Sequence, residues 1–394
     1  MKKIFLIICT LLFISCSQQP VERSNLCIQP IVKFDFPVNN FETVNWENEA
    51  ILPLGNWKVY DTVSKIKSIE LSQYENGISY IWINSLQENN SLTLARYNIK
   101  DGQVENINSA NLFLSNFHLK KDIQNRVFYI RGSWNKLAFL EESTLFLGIY
   151  DSQDRKFKSL LSMSDVIEKI NISSIEAISV SDAKFDDQNN LWFILYAQSN
   201  SQEEYRLFKY AFSTGEIVQN LTTVNLDGFD GQIPFVVTNE GYLYFWLIES
   251  NSLVKYDSVQ NLSTTINIPK EIFDNSPTTS VNLYLNHNKL WLADYGWVDI
   301  SLPELQWHKI LRSSIFIFQQ EGNGGVTWSH PNFMIETKDN RLWYTSSRGT
   351  GWVKPSEGHW CLFTTYQSNI VEDSDHNLWM VADNKLYKLP LGEQ

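Results

Sequence analysis

Two arginines offer the most specific chemistry in this chain. Arg131 opens Arg131-Gly132-Ser133-Trp134 and Arg348 opens Arg348-Gly349-Thr350-Gly351, so each sets a cation beside glycine. A planar guanidinium suits bidentate recognition of a carboxylate or phosphate. Asp294, Tyr295 and Tyr366 stand in comparable polar and aromatic segments and join Arg131, Trp134 and Arg348 as candidate ligand contacts. The competing role for either arginine is an ion pair within the protein. A second pattern, Asp373-Ser374-Asp375-His376-Asn377, sets oxygen ligands at alternate positions as a calcium loop does. Its sixth position is Leu378 instead of Gly and its twelfth is Asn384 instead of Glu. Because Asp186-Asp187-Gln188-Asn189 and Lys338-Asp339-Asn340 fill the same slot elsewhere, a hairpin turn is expected there. The histidines at 118, 287, 308, 330, 359 and 376 show no ligand spacing, and no phosphate loop, His-Glu-x-x-His, Cys-x-x-Cys or Gly-x-Ser-x-Gly motif occurs. These motifs therefore call for no metal and no cofactor.

Composition narrows the partners. The chain has 394 residues, 43% of them hydrophobic, with 14 Trp, 17 Tyr and 23 Phe, which is too apolar and aromatic for disorder. Lys and Arg total 32 against 44 Asp and Glu, and the longest basic run is a pair, so a nucleic-acid partner is excluded.

The elements that must position the candidate residues recur. An apolar-aromatic pair behind an Asn-, Asp- or Gly-rich turn appears as Leu191-Trp192, Leu290-Trp291, Leu342-Trp343 and Leu378-Trp379. Degenerate copies are Ser79-Tyr80, Val127-Phe128 and Leu243-Tyr244. The second residues of the seven pairs are 36 to 64 residues apart, around the ~40 to 50 of a four-stranded propeller blade. A further strand pattern follows each pair, as in Leu94 to Gly102, Leu147 to Asp154, Leu207 to Gly215 and Leu253 to Asn261. Period-2 alternation marks half-buried strands. One helical pattern, Ser164 to Ile170, falls in the longest interval and reads as an insertion between blades. The expectation is an all-β fold, a seven-bladed β-propeller of four-stranded antiparallel blades, with six or eight blades as the other ring sizes. Trp192, Trp291, Trp343 and Trp379 are expected to be core.

From about Asp182 to Leu389 the repeats resemble the two-component-regulator propeller repeat, found in extracytoplasmic sensor portions of hybrid histidine kinases and in proteins similar to streptogramin lyases. The resemblance implies the fold, with ligands bound at the mouth of the central channel. No kinase, receiver or helix-turn-helix pattern accompanies the repeats, so no signalling role is carried over. What it implies first is a non-enzymatic platform for a protein, peptide or glycan partner. The alternative it implies is a lyase or lactonase with a divalent metal in the channel mouth, His330 as acid or base and Glu336 as a second such group.

Met1-Lys2-Lys3, the apolar run from Ile4 to Ile14 and then Ser15-Cys16 resemble the leader and lipobox of bacterial lipoproteins. That implies a signal peptide over 1–15, acylation of Cys16, a tether over 16–30 and one propeller domain over 31–394. The location implied is extracytoplasmic and lipid-anchored, at the outer membrane in a Gram-negative cell because no Asp follows Cys16. With Cys9 in the leader and Cys16 acylated, Cys27 and Cys361 remain. The last repeat lacks an outermost strand, which the segment from Cys27 or that from Ala50 would supply. A Cys27–Cys361 disulfide would then staple the ring.

Overall fold

The computed structural model describes Leu26–Ile28, Lys58–Tyr60 and most of 65–389. Outside the described residues lie 1–25, 29–57, 136–144, 220–232, 274–280, 310–316, 320–325, 365–368, 390–394 and shorter loop stretches, including 294, 329–330 and 347–348.

The local code of each blade is a turn. In five blades the residue six positions before the motif aromatic (Asp122, Asp186, Thr238, Thr337 or Asp373) accepts at its carbonyl the amide of the residue three positions further on. That third residue is Asn125, Asn189, Gly241, Asn340 or His376, and in every one φ lies between 60° and 82°. A left-handed backbone is least costly for Gly and Asn, which is why the turns are rich in them. The Asp side chain completes the turn. Asp186 accepts from the Gln188 and Asn190 amides, from the Asn190 side chain and, at 2.8 Å, from the Trp192 indole Nε1. Asp373 repeats this with Asp375, Asn377 and Trp379. Both carboxylate oxygens of Asp373 are thus taken by donors of its own hairpin, and the calcium-like spacing is turn chemistry.

These turns join the inner and second strands of seven four-stranded antiparallel sheets arranged in a ring, a seven-bladed β-propeller. Blades 1 to 6 span 65–106, 117–162, 175–219, 235–266, 283–309 and 332–364. Blade 7 contributes Ile370–Glu372, Leu378–Ala382 and Lys385–Leu389, and its outer strand is Lys58–Tyr60, with Val59 opposite Tyr387. The closing segment therefore lies just downstream of the two expected from the sequence. Only a short link joins Tyr60 to Lys65, so the outer strand of blade 7 leads straight into the inner strand of blade 1. Leu26–Ile28, inside the expected 16–30 tether, instead adds a fifth strand to blade 6. A separate hairpin, Ile317–Gln319 with Val326–Trp328, lies between blades 5 and 6 in sequence.

Packing between blades buries the motif aromatics. Trp82, Trp192, Trp291, Trp343 and Trp379 are all fully enclosed, as is Trp246 two residues past the motif Tyr244, each contributing on the order of 3 kcal/mol of burial. Apolar clusters tie blades 1 to 2, 2 to 3, 3 to 4, 4 to 5, 6 to 7 and 7 to 1. Phe333 against Trp291, 5.5 Å apart, links blades 5 and 6. In blade 1 the motif aromatic is Trp82 and not Tyr80, because Trp82 Nε1 donates to Gln73 as Trp192 does to Asp186. The expected insertion helix is Met163–Ile170, started by a reciprocal cap in which the Ser162 amide donates to the Asp165 carboxylate and the Asp165 amide to Ser162 Oγ.

Candidate functional site

The inner strands carry charge at alternate positions before the turn: His118 and Lys120 ahead of Asp122, Asp182 and Lys184 ahead of Asp186. Period 2 puts each pair on one face of its strand, so two such strands side by side bring the groups together. Lys120 Nζ donates to Asp182 Oδ1 at 3.2 Å across the blade 2–3 boundary, and Lys184 Nζ lies 3.0 Å from Asp182 Oδ2. Each of these side chains keeps a quarter to a third or so of its surface open to solvent. Burial works against the ionised form of Asp182, yet the two ammonium groups hold its carboxyl far below the usual carboxylate range. Lys120 goes the other way: burial, and Lys184 beside it, lower its pKa despite the single carboxylate. The two shifts agree physically, because one anion serves two cations.

On blade 1 a β-bulge between Ile69 and Leu71 re-aims Glu70. Glu70 accepts from Ser68 Oγ and Asn84 Nδ2, and burial pushes its carboxyl up. Lys120 acts on it electrostatically, so Glu70, Lys120, Asp182 and Lys184 form a row of alternating sign. His118 Nε2 reaches the Val180 carbonyl at 3.4 Å, and burial and Lys120 lower its pKa. Nearer the turns, Glu336 Oε2 is buried without a hydrogen-bond partner among the described residues, 4.0 Å from His287 Nδ1. Tyr284 is also there, its phenol pushed up by burial with Glu336 alongside.

The two ends of the ring differ. At the end away from the turns, Ser133–Asn135 pairs with the inner strand of blade 3, Ser133 opposite Ser179 and Trp134 opposite Ile178, on the side of that strand facing the ring axis. Gly132 makes this crossing possible: a Cβ there would fall 2.1 Å from Asn116 Oδ1 and 3.0 Å from its carbonyl. On the turn-bearing face, a cleft of about 660 Å³ opens at the seam between blades 7 and 1, lined by Tyr74, Ile78, Lys100, Asp375 and Lys388 among others. Tyr74 is 48% exposed.

The sequence candidates are dispersed. Arg131 ends the second strand of blade 2, opposite Phe117, and is buried. Tyr295 is 2% exposed, its ring 5.0 Å from Phe273 in the core between blades 4 and 5. Trp134 has a described backbone in the axial strand. Glu336 ends the inner strand of blade 6, opposite Leu342. Cys16, Asp294, His330, Arg348 and Tyr366 lie outside the described residues. Among the described residues no group of three His, Cys, Asp or Glu forms a metal site, and no helix is long and apolar enough to cross a membrane. A search confined to loops does not reach the charged row, yet the spacing His-x-Lys-x-Asp and Asp-x-Lys-x-Asp ahead of the turn is its signal.

No family model and no curated protein matches the chain. Solved structures do. Two are extracellular domains named for hybrid two-component systems of B. thetaiotaomicron, at 12% and 13% identity over 85% and 80% of this chain, with TM-scores of 0.49 and 0.38. This chain spans 41% and 45% of their lengths. A third is an auxiliary nutrient binding protein from Bacteroides thetaiotaomicron, at 11% identity over 82% of this chain and 68% of that one, TM-score 0.38. At such identities the likeness is one of fold.

Proposed function

We propose that the protein is an extracytoplasmic lipoprotein, anchored through acylated Cys16, whose propeller is a non-enzymatic binding platform for a protein, peptide or glycan partner at the cell envelope. The observation that carries the binding reading is the seam cleft, where a half-exposed Tyr74 ring stands among the Lys100, Lys388 and Asp375 side chains. An amphipathic ring beside fixed charges is suited to peptide and sugar surfaces alike. The inner-wall charges fit the same role: paired with one another on rigid strands, they present a fixed polar lining. The leader Met1-Lys2-Lys3, the apolar run and Ser15-Cys16 support the location.

Photo-crosslinking in intact envelopes tests the platform. Tyr74→Ala combined with Lys100→Glu should lower capture of the wild-type partner about fivefold or more, and undiminished capture by a folded double variant overturns the reading. Palmitate labelling tests the anchor: it should vanish in Cys16→Ser, and equal labelling of both forms removes it.

A further inference from the structure

We infer that Cys27 and Cys361 are joined by a disulfide that fastens the N-terminal segment to the outer edge of blade 6. The inference rests on backbone register. Leu26, Cys27 and Ile28 lie opposite Leu362, Cys361 and Trp360 in an antiparallel pair, so the two cysteines face each other from opposite ends of the chain. Directly opposed residues in such a pair have Cα atoms about 4.5 or 5.5 Å apart, depending on whether they exchange hydrogen bonds. Disulfides span Cα separations of about 4.4 to 6.8 Å, a range that contains both values. A slip of one residue would have set Cys27 against Trp360 or Leu362.

The cysteine count agrees. Of four, Cys9 lies within the leader and Cys16 is the acylated residue, which leaves these two. That step rests on the proposed extracytoplasmic location, which also provides oxidising conditions. In forming the bond the two thiols release two protons and two electrons. An exchanging disulfide, either oxidised glutathione or a protein dithiol oxidase in its disulfide form, accepts them and is reduced to two thiols.

The consequence is mechanical. A three-residue strand is a weak clasp by itself, but a covalent bond makes Cys27 a fixed attachment point. The chain between Cys16 and Cys27 reaches about 40 Å at full stretch, so the rim of blade 6 is held near the membrane. Pull on the anchor then passes into blade 6 instead of peeling away the strands that close the ring.

The test uses protein purified from envelopes, reduced, and equilibrated in a glutathione redox buffer before acid quenching and peptide mapping. A 27–361 linked peptide accounting for most of both cysteines is expected, with Cys27→Ser converting Cys361 to a glutathione adduct. Glutathione adducts or free thiols at both positions of the unmutated protein overturn the pairing. The same mapping on envelopes alkylated before lysis separates the two proposals. A linked pair there supports both. Free thiols there, with linkage in the buffer, overturn the exported location and the bond in the cell while upholding the register.

Discussion

In blade 3 the turn between the inner and second strands is closed by Asp186, whereas in blade 5 it is the two residues His287 and Asn288 between the paired Asn286 and Lys289. The shorter turn keeps the left-handed residue, His287 with φ 49°, and the side chain in the place of Asp186 is Asn286, whose Oδ1 lies 2.9 Å from His287 Nδ1. As a result the Trp192 indole has an acceptor at 2.8 Å, and the Trp291 indole nitrogen is buried with none among the described residues. The inner walls differ in the same two blades. Opposite the motif Trp stands Lys184 in blade 3 and Tyr284 in blade 5. The aromatic wedge is what each blade must have, and the polar support around it is what individual blades can lose.

The largest effect should come from Asp186→Ala, which strands the indole and the Asn190 amide and removes a charge-assisted acceptor. A loss of about 3 kcal/mol is expected by urea denaturation, against about 1 kcal/mol or less for Asn286→Ala. Equal losses would break the comparison.

Next comes Asp182→Asn, which leaves Lys120 and Lys184 without their shared carboxylate and should cost about 2 kcal/mol at neutral pH. The folded-state pKa of Asp182 lies below its unfolded value. Its contribution is therefore complete above an unfolded pKa of about 3.9 and is lost as pH falls through the folded value. The wild type should lose stability below pH ~4 more steeply than the variant. Tyr284, with its pKa raised by burial, stays neutral over this range, so Tyr284→Phe should shift stability by an amount independent of acid pH. An acid limb unchanged by Asp182→Asn would count against the ion-paired wall.

The smallest expected effect isolates the indole hydrogen bond. Trp192→Phe should cost about 1 kcal/mol more than Trp291→Phe in matched denaturation curves, because only the first loses a partner. A reversed order would place the difference in packing.

How much of this was legible differs by level. The Leu-Trp pairs and their Asn or Gly turns showed the blades because one φ requirement and one packing requirement recur at fixed spacing. Blade 1 misled at Tyr80, since its hairpin runs two residue pairs beyond Gln73 before turning at Asn76-Gly77, which leaves Trp82 as the wedge that meets the Gln73 acceptor, and spacing alone cannot show which of two buried aromatics does so. Arg131 and Tyr295 read as loop residues, but exposure is decided by the neighbouring blade: Tyr295 is covered by Phe273, and the chain after Arg131 runs along blade 3. The charged row was visible as alternation, but not as a row, because its members come from three blades.

By itself the sequence determined the repeated blade, the turns within it and most of the aromatic core, since each depends on residues a few positions apart, while the ring of seven came from the structure. The tertiary structure alone decided which N-terminal strand completes blade 7, how Glu70, Lys120, Asp182 and Lys184 share their charges, and that Cys27 lies opposite Cys361. Those depend on segments that are distant in the chain and meet only when the ring closes, and no local propensity records such a meeting.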